Sequence, residues 1–197
     1  NLNNLQSPPF SLDAQISELG EEIEDALIKV FRSGKYIGGE AVNSFEKTFA
    51  TIIQTSFSVS CNSGTDALIL ALRALNIGDN DEVITSSFSF FATAEAISTV
   101  GAKPVFVDID PGNYLMDLDL VEEAITSRTK AILPVHLFGH PIDMDKLMAI
   151  AEENNLKVIE DCAQATGSSW RDKPLGSYGD VGCFSFFPTK NLGAAGD

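Results

Sequence analysis

Hydrophobic and polar residues alternate along this chain with two different periods. Apolar positions recur every three or four residues in 13–32 and again near 40–51, which predicts two amphipathic helices on either side of the glycine-rich break 33–39. From residue 57 onward, short β-rich runs alternate with helical patterns. The predicted strands are 57–61, 82–85, 104–107, 131–135, 157–160 and 182–187, and the predicted helices between them are 64–75, 91–100, 118–125 and 144–154.

This alternation predicts the fold class, an α/β protein with a mainly parallel sheet that helices cover on both faces. We expect an N-terminal helical segment, residues 1–52, to pack on a large domain of residues 53–197. In open sheets of this kind, ligands bind beyond the carboxyl ends of the strands. Polar residues just past those ends are therefore the first candidates for a functional site.

Composition narrows the function classes. The 197-residue chain is 44% hydrophobic and carries a formal net charge of −15, with its acidic residues spread along the sequence. It lacks the basic patches that nucleic-acid binding requires, its polar start does not resemble a signal peptide, and no apolar run is long enough to span a bilayer. The three cysteines have no metal-binding spacing, so we expect buried, reduced thiols in a cytoplasmic protein and no metal site.

A short motif, Asn62-Ser-Gly-Thr-Asp66, follows the first predicted strand and opens a helix. The free N–H groups of a first helical turn bind anions, Gly64 would let a phosphate approach the backbone, and Thr65 adds a hydroxyl. The alternative is an ordinary helix cap that needs no ligand. The motif is neither a P-loop nor the G-x-G-x-x-G fingerprint of dinucleotide binding.

Other candidates follow further strands. Asp161 comes at a strand end and could hold a ring nitrogen protonated, and Gln164 could hydrogen-bond a neighbouring oxygen, although an acid that caps the next turn is an equal alternative. Phe90 follows another strand and could cover a planar ring, or it could lie in the core. Lys190 comes five residues after Ser185 and is either an exposed charge or a desolvated, nucleophilic amine.

Taken singly, each of these residues has an ordinary structural explanation. Together they form a phosphate cradle, a carboxylate for a ring nitrogen, an aromatic cover and an amine, which are the parts that hold pyridoxal phosphate. All of them fall where the sheet predicts the pocket. The sequence therefore favours a protein that binds pyridoxal phosphate.

The order of longer motifs adds a resemblance. The segments NSGTDAL, DEVITSSFSFFATAEA, GAKPVFVDIDP, ILPVHLFG, VIEDCAQA and FSFFPTKNLGAAGD resemble, in that order, the nucleotide-sugar aminotransferases of the DegT/StrS family, from about residue 34 to the end. The resemblance implies the fold-type I architecture of pyridoxal-phosphate enzymes and a homodimer with shared active sites. It also implies an amino-acid donor, glutamate or glutamine, and a nucleotide-linked keto-sugar acceptor. Lipopolysaccharide, capsular polysaccharide, glycoprotein glycan and antibiotic sugar synthesis all stay open as pathways.

The same resemblance implies residue roles. Lys190 matches the lysine that binds the cofactor covalently and then moves protons, and Asp161 matches the acid paired with the pyridine nitrogen. Phe90 matches the ring-stacking aromatic, and Gln164 matches the amide near the ring hydroxyl. The matched phosphate contacts are Gly64, Thr65 and Ser185. His136 lies in a family motif, but fixing a strand end explains it at least as well.

Four further expectations concern the alternative functions, the extent of the chain and one loop. A minority branch of the family has histidine in place of Lys190 and removes a hydroxyl group, so the lysine favours transamination over a sugar dehydratase. A non-catalytic regulatory protein on the same fold is a third hypothesis. Family members continue into a further strand and a smaller C-terminal domain, so we expect a truncated sequence with a gap in its sheet between 57–61 and 182–187. The loop 35–39 is either a contact near the substrate or partner, or a simple turn.

Overall fold

The computed structural model describes residues 11–196, and residues 1–10 and 197 lie outside the described part. Contacts within the chain divide it into two compact units, one up to Thr48 and one from Phe49 onward. The predicted segment 1–52, its packing on the large domain and the boundary at residue 53 stay predictions, and the first ten residues of that segment are outside the described range. Within residues 11–196, no helix is long and apolar enough to cross a membrane.

The first unit contains helix α1, Asp13–Ser33, the turn that follows it and the first turns of α2, Glu40–Ile53. α1 ends at Gly34, whose φ of 67° is the left-handed conformation in which many helices terminate. In the following turn, the Tyr36 hydroxyl donates a hydrogen bond to Phe31 O (2.9 Å), which ties the turn back to the helix. The apolar face of α1 has the predicted helical spacing, and no residue of this helix is buried.

The second unit alternates helices and strands. Its helices are α3 (Gly64–Ala74), α4 (Phe91–Thr99), α5 (Leu118–Ala124) and α6 (Met144–Glu153), with a 3-10 turn at Leu137–Gly139. Its strands are β1 (Glu82–Ser86), β2 (Lys103–Val107), β3 (Thr129–Leu133), β4 (Lys157–Asp161), β5 (Ser169–Trp170), β6 (Lys173–Pro174) and β7 (Val181–Cys183). The predicted helices are confirmed to within one or two residues at their ends.

Five of the strands form one parallel sheet in the order β2-β1-β3-β4-β7, which confirms the predicted fold class. Alternate residues of the central strands face opposite sides. Ile84 and Ile132 belong to a core cluster that includes residues of α5 and α6. Val83 and Leu133 belong to a second cluster with residues of α3 and α4. Because both faces are covered, the strand interiors are mostly apolar, and we look for candidate functional side chains at the strand ends.

The predicted strand 57–61 is wrong in this structure. These residues are irregular, and the side chains of Phe57 and Val59 are 86% and 84% exposed. A β-rich composition makes a strand only where a neighbouring strand accepts its hydrogen bonds, and among the described residues β7 has a strand neighbour only in β4. β7 is therefore an edge strand among the described residues, and the expected gap beside it stays a prediction. The last predicted strand is also shorter than expected, since residues 184–187 leave the sheet, and the small antiparallel hairpin β5-β6 was not predicted.

Candidate active site

The carboxyl ends of the parallel strands meet at one edge of the sheet. Asp161 is the last residue of β4, and Ser185 lies two residues beyond β7. Phe90 caps α4, four residues beyond the end of β1. α3 begins at Gly64, which packs directly against Ser185. The structure therefore brings candidate residues from separate parts of the sequence to this edge.

The start of α3 and the segment after β7 form a close contact. The Ser63 side chain caps the helix by accepting a hydrogen bond from Asp66 N (3.0 Å), and helical geometry leaves the N–H groups of Gly64 and Thr65 without an intrahelical acceptor. A Cβ on Gly64 would lie 2.8 Å from Ser185 Cβ, so only glycine fits at this position. The two N–H groups and the hydroxyls of Thr65 and Ser185 could together hold an anion such as phosphate.

Asp161 is buried, with only 5% of its surface exposed. Its Oδ2 accepts a hydrogen bond from Thr93 Oγ1 (2.9 Å), and its Oδ1 accepts one from Ala163 N (3.1 Å). Burial raises the pKa of this carboxyl above its ordinary value, while the two hydrogen bonds and nearby positive charge, that of Lys190 included, act in the opposite direction. Burial has the larger effect, so the pKa of Asp161 lies above its ordinary value. A cation bound against Asp161 would act against burial and favour the ionised form of the carboxyl.

Thr93 is a residue of the candidate site that sequence reasoning missed. Thr93 lies on the buried face of α4 with 2% of its surface exposed, and its hydroxyl oxygen also lies 2.8 Å from Ser89 Oγ. Thr93 and Asp161 are 68 positions apart in the chain, so no local pattern connects them. The one available signal was a hydroxyl residue at an otherwise apolar helix position just beyond a strand end.

Gln164 lies in the turn after β4 with its side-chain amide held in one orientation. Its Oε1 accepts a hydrogen bond from Phe138 N (2.8 Å). Phe138 has a φ of 56°, which non-glycine residues adopt only at an energetic cost. Because the carbonyl oxygen of the Gln164 amide is occupied, its NH2 group is the part that is left to donate to a ligand.

Lys190 lies in a tight turn beyond β7. Its N–H donates a hydrogen bond to Phe187 O (2.8 Å). Gly193 approaches this turn so closely that a Cβ on it would clash with Pro188 O. The lysine is partly buried, and its positive charge acts on the carboxyl of Asp161. The turn therefore presents an amine toward the same edge as the buried acid.

Phe90 lies at the start of α4, where its carbonyl oxygen accepts a hydrogen bond from Thr93 N (3.2 Å). Its side chain is 74% exposed, so the alternative that it belongs to the core is wrong for this structure. The ring is available for contact with a ligand or another surface. Its role in stacking on a cofactor stays a prediction.

Glu160, the residue before Asp161, is fully buried and saturated with hydrogen bonds. Its Oε1 accepts from Tyr178 N and Gly179 N, and its Oε2 accepts from Gly176 N, each at 2.8 Å. Burial acts to raise the pKa of Glu160, but the hydrogen bonds from its neighbours outweigh burial and leave that pKa below its ordinary value. Glu160 therefore stabilises the loop before β7 and has no free lone pair aimed at a ligand.

His136 is fully buried beside Glu160, with its Nε2 lying 3.2 Å from Glu160 Oε2. Its Nδ1 accepts a hydrogen bond from Ile142 N (3.4 Å), so the proton of the neutral imidazole is on Nε2 and is donated to Glu160. Among the described residues, His136, Glu160 and Cys162 are the one group of three possible metal ligands that lie together. Because the His136 and Glu160 atoms already have protein partners, the group is explained as a buried structural network.

Similarity to known proteins extends over the parts of the chain that contain the candidate site residues. The model of the DegT/DnrJ/EryC1/StrS aminotransferase family matches residues 17–197. The chain is 51% identical over 194 residues to UDP-N-acetyl-3-dehydro-alpha-D-glucosamine 3-aminotransferase of Acidithiobacillus ferrooxidans, which covers 98% of this chain and 53% of that protein. It is 47% identical over 190 residues to the pleiotropic regulatory protein of Geobacillus stearothermophilus, covering 96% of this chain and 51% of that protein.

A solved structure shares the fold. The crystal structure of NtdA from Bacillus subtilis with bound cofactor PMP matches with a TM-score of 0.86 at 41% sequence identity, covering 91% of this chain and 40% of that one. The chain spans about half the length of the curated relatives it matches. The similarity therefore extends through every strand and helix at the candidate site but not over the whole of those proteins.

Proposed function

The chain belongs to the DegT/DnrJ/EryC1/StrS aminotransferase family, and from this premise we propose that it is the cofactor-binding part of a pyridoxal-phosphate aminotransferase. The amine donor is an amino acid, glutamate or glutamine. The acceptor is a keto-sugar carried on a nucleotide, a class that the name of the Acidithiobacillus relative supports.

One observation carries this proposal: two consecutive buried carboxylates have opposite environments. Glu160 has its hydrogen-bond capacity filled by protein donors and a lowered pKa, as expected of a structural acid. Asp161 has two neutral donors and a pKa that burial raises. A protonated ring nitrogen against Asp161 would lower that pKa and compensate the buried charge.

The residues around Asp161 fit pyridoxal phosphate. The helix start at Gly64 and Thr65, together with Ser185, suits the phosphate. The free NH2 group of Gln164 suits the ring oxygen, and the exposed ring of Phe90 suits the flat face of the pyridine. When bound, the cofactor withdraws electrons from the substrate carbon that carries the amine.

Two side chains do the chemical work in this proposal. Asp161 keeps the ring nitrogen protonated, because its negative charge favours the charged form of its partner. Lys190 would hold the cofactor through its Nζ amine, and the same amine, when free, would take a proton from the α carbon of the amino-acid donor. The tight turn around Lys190 holds its backbone in place for this transfer.

Replacement of the lysine tests the proposal. In the full-length protein purified with pyridoxal phosphate, we expect a visible absorption band that glutamate or glutamine bleaches. Lys190→Ala should lose both the band and turnover, whereas Lys173→Ala, which removes an exposed lysine of β6, should keep both. Wild-type turnover in Lys190→Ala would refute the catalytic role.

A regulatory protein on the same fold is a second candidate, favoured by the name of the Geobacillus relative. The same spectra decide between the two. A bound cofactor that no amino acid converts would favour the regulatory candidate, whereas conversion followed by transfer to a keto-sugar nucleotide would exclude a purely regulatory role. Lys190 in place of histidine weighs against a sugar dehydratase.

We also propose that the protein is a cytoplasmic homodimer with shared active sites. The three cysteines among the described residues are free thiols, which suits a reducing compartment. Cys162 and Cys183 are buried as expected, whereas the expectation of burial is wrong for Cys61, which is exposed. The exposed rings of Phe90 and Phe91, 74% and 72% accessible, are typical of a surface that another chain or a ligand covers. Sedimentation of the full-length protein tests the dimer, and a monomer at micromolar concentration with full activity would contradict it.

A further inference from the structure

We propose that Thr93, assisted by Ser89, is a positioning residue that fixes the Asp161 carboxylate for pairing with a cationic ring nitrogen. The inference rests on the proposed function, because it concerns the same site. It assigns a role to Thr93 of α4 and to Ser89 of the loop before it, two residues to which the sequence alone assigned none.

The direction of these hydrogen bonds follows from counting protons. Thr93 has one hydroxyl proton and the ionised Asp161 can only accept, so Thr93 donates to Asp161 Oδ2 across 2.9 Å. The 2.8 Å contact between the two hydroxyls then has Ser89 as its donor. The result is a directed chain from Ser89 through Thr93 to Asp161, in which each donation strengthens the next.

The two protein donors hold the carboxylate from separate elements. Thr93 is on α4, whereas Ala163 is in the turn after β4, and each donates to a different oxygen of Asp161. Rotation of the carboxylate would break both hydrogen bonds. An ionised carboxylate has about four lone-pair positions, so the remaining positions are held in a fixed direction for a ligand.

Neutral donors suit this task better than a cation would. A lysine or arginine at position 93 would neutralise Asp161 and compete with the ring nitrogen, whereas a hydroxyl stabilises the ionised form and leaves its charge in place. Thr93 is itself 2% exposed, so water cannot readily take over its hydrogen bond. The titratable groups that act on Asp161 or are acted on by it are His136, Cys162, Cys183 and Lys190.

A purely structural role for Thr93 makes different predictions, and Thr85 provides the matched control. Thr85 is also fully buried, and its Oγ1 donates a hydrogen bond to Leu133 O (2.8 Å) on the neighbouring strand. Thr85→Val therefore removes a buried threonine hydroxyl whose partner is a main-chain carbonyl. Thr93→Val removes one whose partner is the carboxylate, and Thr93→Ser restores the donor without the methyl group.

The test measures the dissociation constant for pyridoxal phosphate by fluorescence titration of the cofactor-free, full-length protein at several pH values. We expect Thr93→Val to weaken binding about tenfold or more at neutral pH. The deficit should grow as the pH falls, because loss of the donor raises the pKa of Asp161. Thr93→Ser should stay within about threefold of wild type, and Thr85→Val should lower Tm while leaving the affinity unchanged.

An Asp161→Asn background separates action through the carboxylate from other effects. There we expect Thr93→Val to cause little further loss of affinity, and a full additional loss would overturn the inference. Wild-type affinity and pH dependence in Thr93→Val would also overturn it, as would an equal loss in Thr85→Val. If the wild-type protein binds pyridoxal phosphate and Thr93→Val behaves like it, the inference alone fails. If the wild-type protein binds no pyridoxal phosphate, the proposed function fails as well.

Discussion

Gly64→Ala adds one methyl group at the tightest point of the candidate phosphate site. The new Cβ would lie 2.8 Å from Ser185 Cβ, 3.3 Å from Ser185 Oγ and 3.4 Å from Phe184 O. To reach an ordinary contact of 3.4 Å, the two carbons must separate by about 0.6 Å, the difference between 3.4 Å and 2.8 Å. Overpacking of this kind costs about 1–3 kcal/mol, and the better helix propensity of alanine offsets at most about 1 kcal/mol of it.

We therefore expect Gly64→Ala to lower Tm by a few degrees and to move Ser185 away from the start of α3. The displacement separates the hydroxyl from the two N–H groups, so the affinity for pyridoxal phosphate should fall about tenfold. Circular dichroism and fluorescence titration of the full-length protein measure the two effects. Gly20→Ala, in α1 with its nearest neighbour atom at 3.6 Å, is the control and should not lower either quantity. Wild-type affinity together with wild-type Tm in Gly64→Ala would refute the assigned contact.

Three further predictions concern neighbouring side chains. Gln164→Glu keeps the acceptor for Phe138 N but removes the amide donor, so we expect cofactor affinity to fall about tenfold at unchanged Tm, and unchanged affinity in the titration would contradict this. Glu160→Gln places an NH2 group among N–H donors and should destabilise the protein by about 3 kcal/mol in thermal unfolding. The pKa of Glu160 is lowered in the folded state, so the ionised carboxylate stabilises the protein fully above the ordinary pKa of 4.5, and this stabilisation is lost as the pH falls through the lower, folded-state pKa. The loss of stability with falling pH should therefore be less steep in Glu160→Gln, and an identical slope would contradict the direction of the pKa shift. Because the pKa of Asp161 is raised instead, the ionised group destabilises the cofactor-free protein at neutral pH, so Asp161→Asn should raise its Tm, and a lower Tm would contradict this.

The fold could be predicted from the sequence because each of its central elements carries a strong local pattern. Strands buried on both faces appear as short apolar runs, and the helices between them repeat every three to four residues. The prediction of 57–61 as a strand failed for a physical reason. The composition of a segment reports only its own preference, whereas a strand also needs a neighbouring strand for its hydrogen bonds, and the described residues provide none for 57–61.

The candidate site could be predicted only as far as the strand ends specify it. Asp161 and Ser185 follow their strands closely, so the topology alone brings them to one edge. The contacts between distant residues could not be predicted. Gly64 was expected to let a phosphate approach, yet a Cβ added there would first meet the side chain of Ser185. Thr93 is hydrogen-bonded to Asp161 across 68 positions of sequence.

The adjacent acids Glu160 and Asp161 show which part of the site follows from strand geometry and which part depends on contacts between distant residues. Successive residues of a strand face opposite sides of the sheet, so Asp161 shares the side of Ile159 and of α3 and α4, whereas Glu160 shares the side of Val158. Since the candidate anion-binding helix start belongs to α3, this alternation places Asp161, and not Glu160, on the side of the candidate site. The donors that make Glu160 structural, the N–H groups at 176–179, lie in an irregular loop whose path no periodicity describes. Strand geometry thus identifies Asp161 as the acid that can contact a ligand. Only the folded loop explains why the Glu160 carboxylate is stable without a ligand, since the loop N–H groups supply its hydrogen bonds.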